Sequence, residues 1–319
     1  MGERLRIAVI GAGAVGCYYG GRLAQAGHDV RFLMRRDHDA VQRDGLTVYS
    51  PKGDFRIEKP FVARTSAEIG EVDWVICALK GTSLDEAEAL IRPCAGPKTK
   101  ILAIMNGLGV EERFAGWFGG ERVFGGLAFT CLNRGEPGIV HHLGYGAVTL
   151  AHYQDDAAQL EEAARVWQGS VVDISTAPSL LKARWEKLCW NIPFNGMTVA
   201  AGGVTTDALL ADEPLLETAR ALMSEVVAIG NADLKAHGEP GRIDGEETVT
   251  RMFRLTATMG AYQPSTLIDF LEGRALEVET IFGEPLRRAR SLGVESPRLE
   301  ALTSALREVD RRLERADRA

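Results

Sequence analysis

Lys187, Asn191 and Asn195 recur every four residues in the segment Lys187-Leu188-Cys189-Trp190-Asn191-Ile192-Pro193-Phe194-Asn195. If that segment is helical, the three share one face. One ammonium and two carboxamides on one face can bind a small polar substrate and protonate it. Pro193 removes one backbone donor and should kink the helix, so the shared face is firmest for Lys187 and Asn191. Far upstream, Gly11-Ala12-Gly13-Ala14-Val15-Gly16 has the G-x-G-x-x-G spacing of a dinucleotide-binding turn. Together they suggest a nicotinamide-dependent reductase with its acid on a helical second domain.

The glycine spacing gains weight from its surroundings. It follows the apolar run Arg6–Ile10 and opens a helix that reaches about Ala26, the context in which the fingerprint is specific. Gly11 permits the tight turn, Gly13 lets the backbone approach a pyrophosphate, and Gly16 lets helix and strand pack closely. The turn containing Ala12, Ala14 and Val15 then offers oriented N–H groups and partial positive charge to the phosphates. A Gly-rich strand–helix turn without a ligand is the plainer alternative.

The end of the second strand, Val30–Met34, decides between NAD and NADP. An NAD enzyme usually places Asp or Glu there, whereas this chain reads Arg35-Arg36, with Asp37 slightly too late. A guanidinium forks well onto a phosphate, so Arg35 is the expected clamp for a 2′-phosphate and Arg36 is expected to be solvated. Lys80, just past the strand ending at Leu79, can add a second positive charge. The expected cofactor is NADPH. Asn106-Gly107-Leu108-Gly109 follows another buried strand; its Asn can bond a nicotinamide ribose or a substrate oxygen, or simply make an Asn-Gly turn.

These residues need elements to position them. Arg6–Ile10, Val30–Met34, Asp73–Leu79 and Ile101–Met105 are short apolar runs suited to a parallel sheet covered on both faces. Ile139–His142 and Ala147–Tyr153, joined through Gly144 and Gly146, read as a hairpin at the far edge of that domain. Helical periodicity then takes over in Ser179–Ala200, Pro214–His237, Glu246–Met259, Ala275–Leu292 and Pro297–Arg312, with Pro214 and Pro297 marking starts and Gly238 and Gly293 marking ends. Ala177-Pro178 is the natural boundary. The expected architecture is an α/β Rossmann-type N-terminal domain, residues 1–177, binding NADP, followed by an all-α C-terminal domain, residues 178–319, carrying substrate and catalytic groups.

Composition sets outer limits. The chain has 319 residues, 45% hydrophobic and 25% charged, with a formal net charge of −7, the profile of a globular protein. No long basic run is present, so neither nucleic acid nor an anionic membrane is an expected partner. No apolar run approaches the length of a membrane span, and the N-terminus enters a core strand with no room for a signal peptide. Cys17, Cys77, Cys94, Cys131 and Cys189 are scattered without a metal-ligand spacing; Cys17 and Cys77, in apolar contexts, are expected to be buried free thiols, which fits a reducing cytoplasm. No metal is expected, because the six His residues lack ligand spacing. The helical region offers surfaces for a homodimer, although no sequence feature requires one.

With these motifs placed, the chain resembles the ketopantoate reductase (2-dehydropantoate 2-reductase) family over essentially its full length. The landmarks, in order, are the N-terminal glycine fingerprint, Leu79-Lys80, Asn106-Gly107, Lys187…Asn191…Asn195, Pro264-Ser265, and Arg274…Glu277…Gly283 before Arg287-Arg288-Ala289. The resemblance implies NADPH-dependent reduction of a 2-oxo acid to a 2-hydroxy acid in pantothenate synthesis, supplying coenzyme A. It implies Lys187 as proton donor, Asn191, Asn195 and Ser265 as substrate contacts, and Arg35 and Lys80 at the adenosine 2′-phosphate. It also implies Asn106 and Glu277 near the nicotinamide ribose, with Glu277 close to the catalytic lysine.

The chain departs from the family pattern in three places. Leu276-Glu277-Val278-Glu279, then Phe282-Gly283, stands where the family commonly reads Thr-Glu-Ile-Asp before Asn-Gly. Thr205 in Gly202-Gly203-Val204-Thr205-Thr206 stands in for a further Asn, and Tyr262 for an amide. These changes predict a more apolar pocket, and loss of hydrogen-bonding groups can shift substrate preference. The competing readings are a paralogue reducing another 2-oxo acid, a 3-hydroxy-acid or polyol-phosphate dehydrogenase, and a non-catalytic NADP-binding protein.

Overall fold

The structure, a computed structural model, describes residues 3–317. The chain forms two compact units: one runs up to Met105 and resumes over Val110–Leu180, and the other comprises Asn106–Gly109 and the residues from Leu181 onward.

The first unit holds a ten-stranded sheet. Its strands are β1 (Arg6–Ile10), β2 (Asp29–Leu33), β3 (Leu46–Tyr49), β4 (Phe55–Ile57), β5 (Phe61–Ala63), β6 (Val72–Cys77), β7 (Ala95–Ala103), β8 (Val123–Arg134), β9 (Ile139–His152) and β10 (Ile174–Thr176). Helices α1 (Ala14–Gln25), α2 (His38–Asp44), α3 (Ser66–Ile69), α4 (Leu84–Ile91), α5 (Val110–Phe118) and α6 (Ala157–Arg165) connect them. Alternate residues of a strand face opposite sides. Accordingly Ile7 and Val9 join one core cluster with Trp74, Ile76 and Leu102, while Ala8 and Ile10 join another with Val75, Cys77 and Ile101. An unbroken apolar run is what a strand covered on both faces requires.

Strands β5-β2-β1-β6-β7-β8 are neighbours in that order and all parallel. This is the Rossmann order, with its reversal beside β1. Beyond β8 the sheet becomes mixed: β9 is antiparallel to β8, β3 parallel to β9, and β4 antiparallel to β3, with β10 also paired to β9.

The hairpin expected through Gly144 and Gly146 is not formed. Ile139–His152 is one continuous strand whose partner is β8, and it lies inside the sheet, flanked by β3 and β8. The register shifts between Phe129 and Thr130, where Tyr145 and Gly146 opposite have positive φ, and again between Cys131 and Leu132. A bulge uses the same permissive residues as a turn, which is why the glycines misled the sequence reading.

A buried polar network ties this strand to α1. His142 Nε2 lies 2.9 Å from the Gly144 carbonyl, and His142 Nδ1 lies 2.8 Å from Ser50 Oγ. A carbonyl can only accept, so Nε2 carries the proton and Nδ1 accepts from the Ser50 hydroxyl. Arg22 Nη2 donates to the same hydroxyl at 3.0 Å, and the Tyr18 ring packs 4.4 Å from the imidazole. Burial, with the Arg22 and Lys52 charges adding to it, holds the His142 pKa below its ordinary value.

The second unit is helical. It contains α7 (Leu180–Ala200), α8 (Thr206–Ala211), α9 (Glu213–Ala236), α10 (Gly245–Ala257), α11 (Ser265–Leu271), a π-helical turn (Glu279–Gly283), α12 (Glu284–Ser291) and α13 (Pro297–Asp317). Pro193 lies inside α7 without ending it. The Asp212 carboxylate accepts from the Leu215 N–H, and that of Asp244 from the Glu247 N–H, so side chains cap α9 and α10. Trp185, Leu188 and Phe194 of α7 meet Met223, Val226 and Ile229 of α9 in one core that also takes Phe282, Leu302 and Leu306. The continuous helix expected over Ala275–Leu292 is shorter, beginning with the π turn, and the brief helices α8 and α11 lie where no periodicity could show. Among the described residues, no helix is long and apolar enough to cross a membrane.

The network around His142 makes a testable demand on stability. Its folded pKa lies below the unfolded one, so the unfolded chain binds the extra proton. The stabilisation is complete above the ordinary histidine pKa of about 6.5 and is lost as pH falls towards the folded value. Urea denaturation at about pH 7.5 and about pH 5 should therefore show a larger loss for wild type than for His142→Gln, whose amide does not titrate. Equal losses would remove His142 from the acid response.

Candidate active site

In the sheet unit, the candidate residues gather at the carboxyl ends of β1, β2 and β6. Gly11 ends β1 with φ 93°, and a Cβ there would lie 2.7 Å from the Ala78 carbonyl carbon and the Leu79 nitrogen. The loops after β1 and β6 therefore touch backbone to backbone at the point where the strand order reverses, the usual ligand crevice of such sheets. A Cβ on Gly16 would lie 2.3 Å from the Gly11 carbonyl oxygen, so α1 can sit this close only without a side chain there. A Cβ on Gly13 would meet nothing within 4 Å. Packing within the protein therefore does not demand a glycine at this position.

Gly13 also forms the N-terminal end of α1, with no side-chain cap and no acidic residue in the first turn. Helix N-termini with unclaimed N–H groups bind anions, so the turn from Gly11 to Gly16 fits a dinucleotide pyrophosphate. Arg35 follows β2 with its side chain 76% exposed, and its nearest carboxylate oxygen, on Glu86, lies 3.9 Å away. An exposed pair at that distance contributes little, which leaves the guanidinium available to a phosphate. Asp37, the acid that could have served a ribose, is instead bonded to Arg134 and also accepts from the Gly138 N–H. Arg36 is exposed, and Lys80 is exposed at the start of the turn Gly81–Ser83. Burial pushes the thiols of Cys17 and Cys77, on α1 and β6, up to about 12, which keeps both protonated. Burial also raises that of Cys131.

In the helical unit, α7 brings the other candidates together. Lys187 Nζ donates to Asn106 Oδ1 at 2.9 Å. One turn along the same helix, the Asn191 side chain is 5% exposed and makes no hydrogen bond among the described residues, so its carboxamide can donate to or accept from a ligand. A turn further, Asn195 Oδ1 accepts from the Thr266 N–H at 3.0 Å and from Ser265 Oγ at 3.3 Å. The spacing in the sequence therefore corresponds to two linked pairs, Lys187 with Asn106 and Asn195 with Ser265. Glu277 is buried just ahead of the π turn, where its carbonyl accepts from the Ile281 N–H at 3.2 Å.

Three expected pocket residues make contacts within the protein. Phe282 is fully buried in the helical core, where a Cβ on Gly196 would lie 2.7 Å from its ring, so it packs α7 rather than offering an open apolar wall. The Thr205 hydroxyl donates to Asp207 Oδ1 at 2.5 Å. Tyr262 packs its ring 6.1 Å from Trp190, while its carbonyl accepts from the Thr206 N–H. Sequence reasoning missed the Thr266 N–H, and its one signal was the Pro264-Ser265 start of α11. Among the described residues, no group of three or more His, Cys, Asp or Glu is gathered to hold a metal.

Comparison with known proteins follows the same division. The family model described as Ketopantoate reductase PanE/ApbA matches residues 7–155, and that described as Ketopantoate reductase PanE/ApbA C terminal matches residues 179–310. A 2-dehydropantoate 2-reductase of Nostoc sp. is 36% identical over 318 residues, covering 98% of this chain and 97% of that protein. The crystal structure of a 2-dehydropantoate 2-reductase from Geobacter metallireducens GS-15 superposes with a TM-score of 0.91 at 43% identity, covering 95% of this chain and 99% of that one. The corresponding structure from Methylococcus capsulatus gives 0.86 at 31% identity, covering 97% and 98%.

The glycines of the β1–α1 turn separate fold from ligand. Gly13→Ala should shift Tm without ligand by no more than about 2 °C, yet weaken NADPH by about tenfold or more, since its methyl enters the ligand's space. Gly16→Ala should cost about 1–3 kcal/mol of stability, because it meets backbone. Thermal melts without cofactor and NADPH titrations would read both, and an unaffected NADPH affinity in Gly13→Ala would place the pyrophosphate elsewhere.

Proposed function

Because the chain belongs to the ketopantoate reductase family, we propose that it is an NADPH-dependent oxidoreductase that reduces 2-dehydropantoate to pantoate in pantothenate and coenzyme A synthesis. Residues 1–177 are assigned to NADP binding and residues 178–319 to substrate and catalysis. The observation that carries the reading is the α7 face, where the Lys187 ammonium is held 2.9 Å from Asn106 Oδ1 and the Asn191 carboxamide waits one turn away without a partner.

When bound, the reduced nicotinamide supplies a hydride for the 2-oxo carbon. Reduction builds negative charge on the carbonyl oxygen, and Lys187 is proposed to stabilise that charge and then donate its proton to the oxygen. Asn191 and Asn195 are proposed to hold the substrate's polar groups, with Ser265 beside Asn195. Asn106 orients the Lys187 ammonium and, with Glu277, is proposed to lie near the nicotinamide ribose. Gly11, Ala12, Gly13, Ala14, Val15 and Gly16 are proposed to cradle the pyrophosphate, and Arg35 and Lys80 the 2′-phosphate. Diversion of Asp37 to Arg134 supports NADP over NAD, because it takes away the carboxylate that would repel a phosphate. A cytoplasmic location completes this reading, and the helical region offers surfaces on which a homodimer could form.

A second reading, a relative that reduces a different 2-oxo acid, is favoured by Thr205 and Tyr262, which stand where the family carries amides, with the Thr205 hydroxyl bonded to Asp207 and the Tyr262 ring packed near Trp190. A panel of branched 2-oxo acids, followed by loss of NADPH absorbance, decides between the two. Efficient turnover of ketopantoate supports the first. Turnover of another acid alone supports the second, and NADPH binding without any turnover would favour a binding protein.

Lys187→Ala should lower kcat by about 10²–10⁴-fold, the usual share of a general acid, with NADPH affinity changed by less than about threefold. Unchanged turnover would exclude Lys187 as the acid. Arg35→Ala should raise the KM for NADPH by about tenfold or more, since a charge-assisted phosphate contact is lost, and leave that for NADH nearly constant. Equal weakening of both would put the phosphate clamp elsewhere.

A further inference from the structure

Two features of the helical unit have no part in the chemistry above: the π-helical turn Glu279–Gly283 and the φ of 98° at Gly107. A π turn is rare and is frequently found at functional sites. Here the Thr280 carbonyl accepts from the Leu108 N–H at 2.9 Å. A Cβ on Gly107 would lie 2.4 Å from the Thr280 oxygen and 2.6 Å from its carbonyl carbon and Cβ. An L side chain at 107 would thus be strained in its own backbone and would collide with that of Thr280. Segment Asn106–Gly109 lies against the π turn with no side chain intervening, and the residue that begins it is the one that receives the Lys187 ammonium.

Further contacts fix both ends of this arrangement. On α7, Trp185 Nε1 donates to Asp233 Oδ2 at 2.8 Å, and Arg288 Nη1 on α12 donates to the same oxygen at 2.8 Å. Arg288 Nε also donates to Glu284 Oε1 at 3.1 Å, in the first turn of α12, directly after the π turn. The contacts close a ring that runs from Lys187 through Asn106, Leu108, Thr280, α12, Arg288, Asp233 and Trp185 back to α7.

We propose that Gly107 and Thr280 are positioning residues of the reductase. The Thr280 carbonyl holds the 106–109 segment so that the Asn106 carboxamide aims the Lys187 ammonium. This rests on the proposed role of Lys187 as proton donor. The competing role is purely structural, since Leu108 is also buried in the helical core.

A double-mutant cycle separates the two. The kcat for ketopantoate would be measured at saturating NADPH for wild type, Asn106→Ala, Gly107→Ala and the double variant, each normalised to titrated NADPH-binding sites. Gly107→Ala is expected to lower kcat by about 100-fold, the scale of a misplacement near 1 Å, with the KM for ketopantoate changed by less than about threefold. In the Asn106→Ala background, the same substitution should change kcat by less than about threefold, because the contact it acts through is already gone. An equal loss in both backgrounds overturns the proposal in favour of the structural role. Full activity of Asn106→Ala also overturns it while leaving the Lys187 assignment to Lys187→Ala. Should Gly107→Ala not fold, amide exchange at Leu108 in the wild-type holoenzyme decides. Protection equal to that of α7 amides supports the latch, and exchange at the rate of an open loop overturns it.

Discussion

The acid role proposed for Lys187 requires its long stem to be held still, and the hydrogen bond from Lys187 Nζ to Asn106 Oδ1, at 2.9 Å, contributes to that. A lysine side chain carries about 2 kcal/mol of rotamer entropy, which one hydrogen bond offsets only if its acceptor is already fixed. Asn106 is such an acceptor, because the next two residues are held against Thr280 by a close backbone approach at Gly107 and a hydrogen bond at Leu108. A carboxamide oxygen also directs the ammonium without adding a charge of its own.

The same economy operates in the sheet unit. Gly11 meets the Ala78–Leu79 backbone and Gly107 meets that of Thr280, each at a positive φ and each where a Cβ would approach to within 2.7 Å. At both places two loops must touch for a site to exist, and the chain removes the side chain rather than moving the backbone. Gly13 differs because nothing in the protein lies within 4 Å of where its Cβ would be, so packing does not require a glycine there.

Much of this was legible in the sequence, and the limits have physical causes. Strands β1, β2, β6 and β7 announce themselves because burial on both faces enforces an apolar run. Strand β8 does not, since Gly125-Gly126 and a polar end blur its pattern, and the bulge in β9 uses residues that equally suit a turn. Helix α7 and the face bearing Lys187, Asn191 and Asn195 could be read from spacing, because a helix fixes which residues are neighbours. The partners of that face could not: Asn106 and the Thr266 N–H arrive from distant parts of the chain. Nor does a π turn leave a periodic signal, so Phe282 read as a pocket residue when the altered phase directs it into the core.

That inward turn of Phe282 changes how substrate choice must be understood. If the departures from the family pattern lie in the core or bond within the protein, recognition falls to the α7 face and Ser265. The Thr266 N–H can only donate, so the Asn195 atom facing it must be oxygen. The Asn195 amide N–H₂ is then the part left for a ligand. With the Lys187 ammonium on the same helix, the proposed site presents mainly donors, which suit the carboxylate and oxo oxygens of a 2-oxo acid. Asn191, able to donate or accept and bound to nothing in the protein, is the group free to adapt to whatever the rest of the acid carries. In the proposed site, a substrate group that bonds to this carboxamide would favour one 2-oxo acid over another that lacks it.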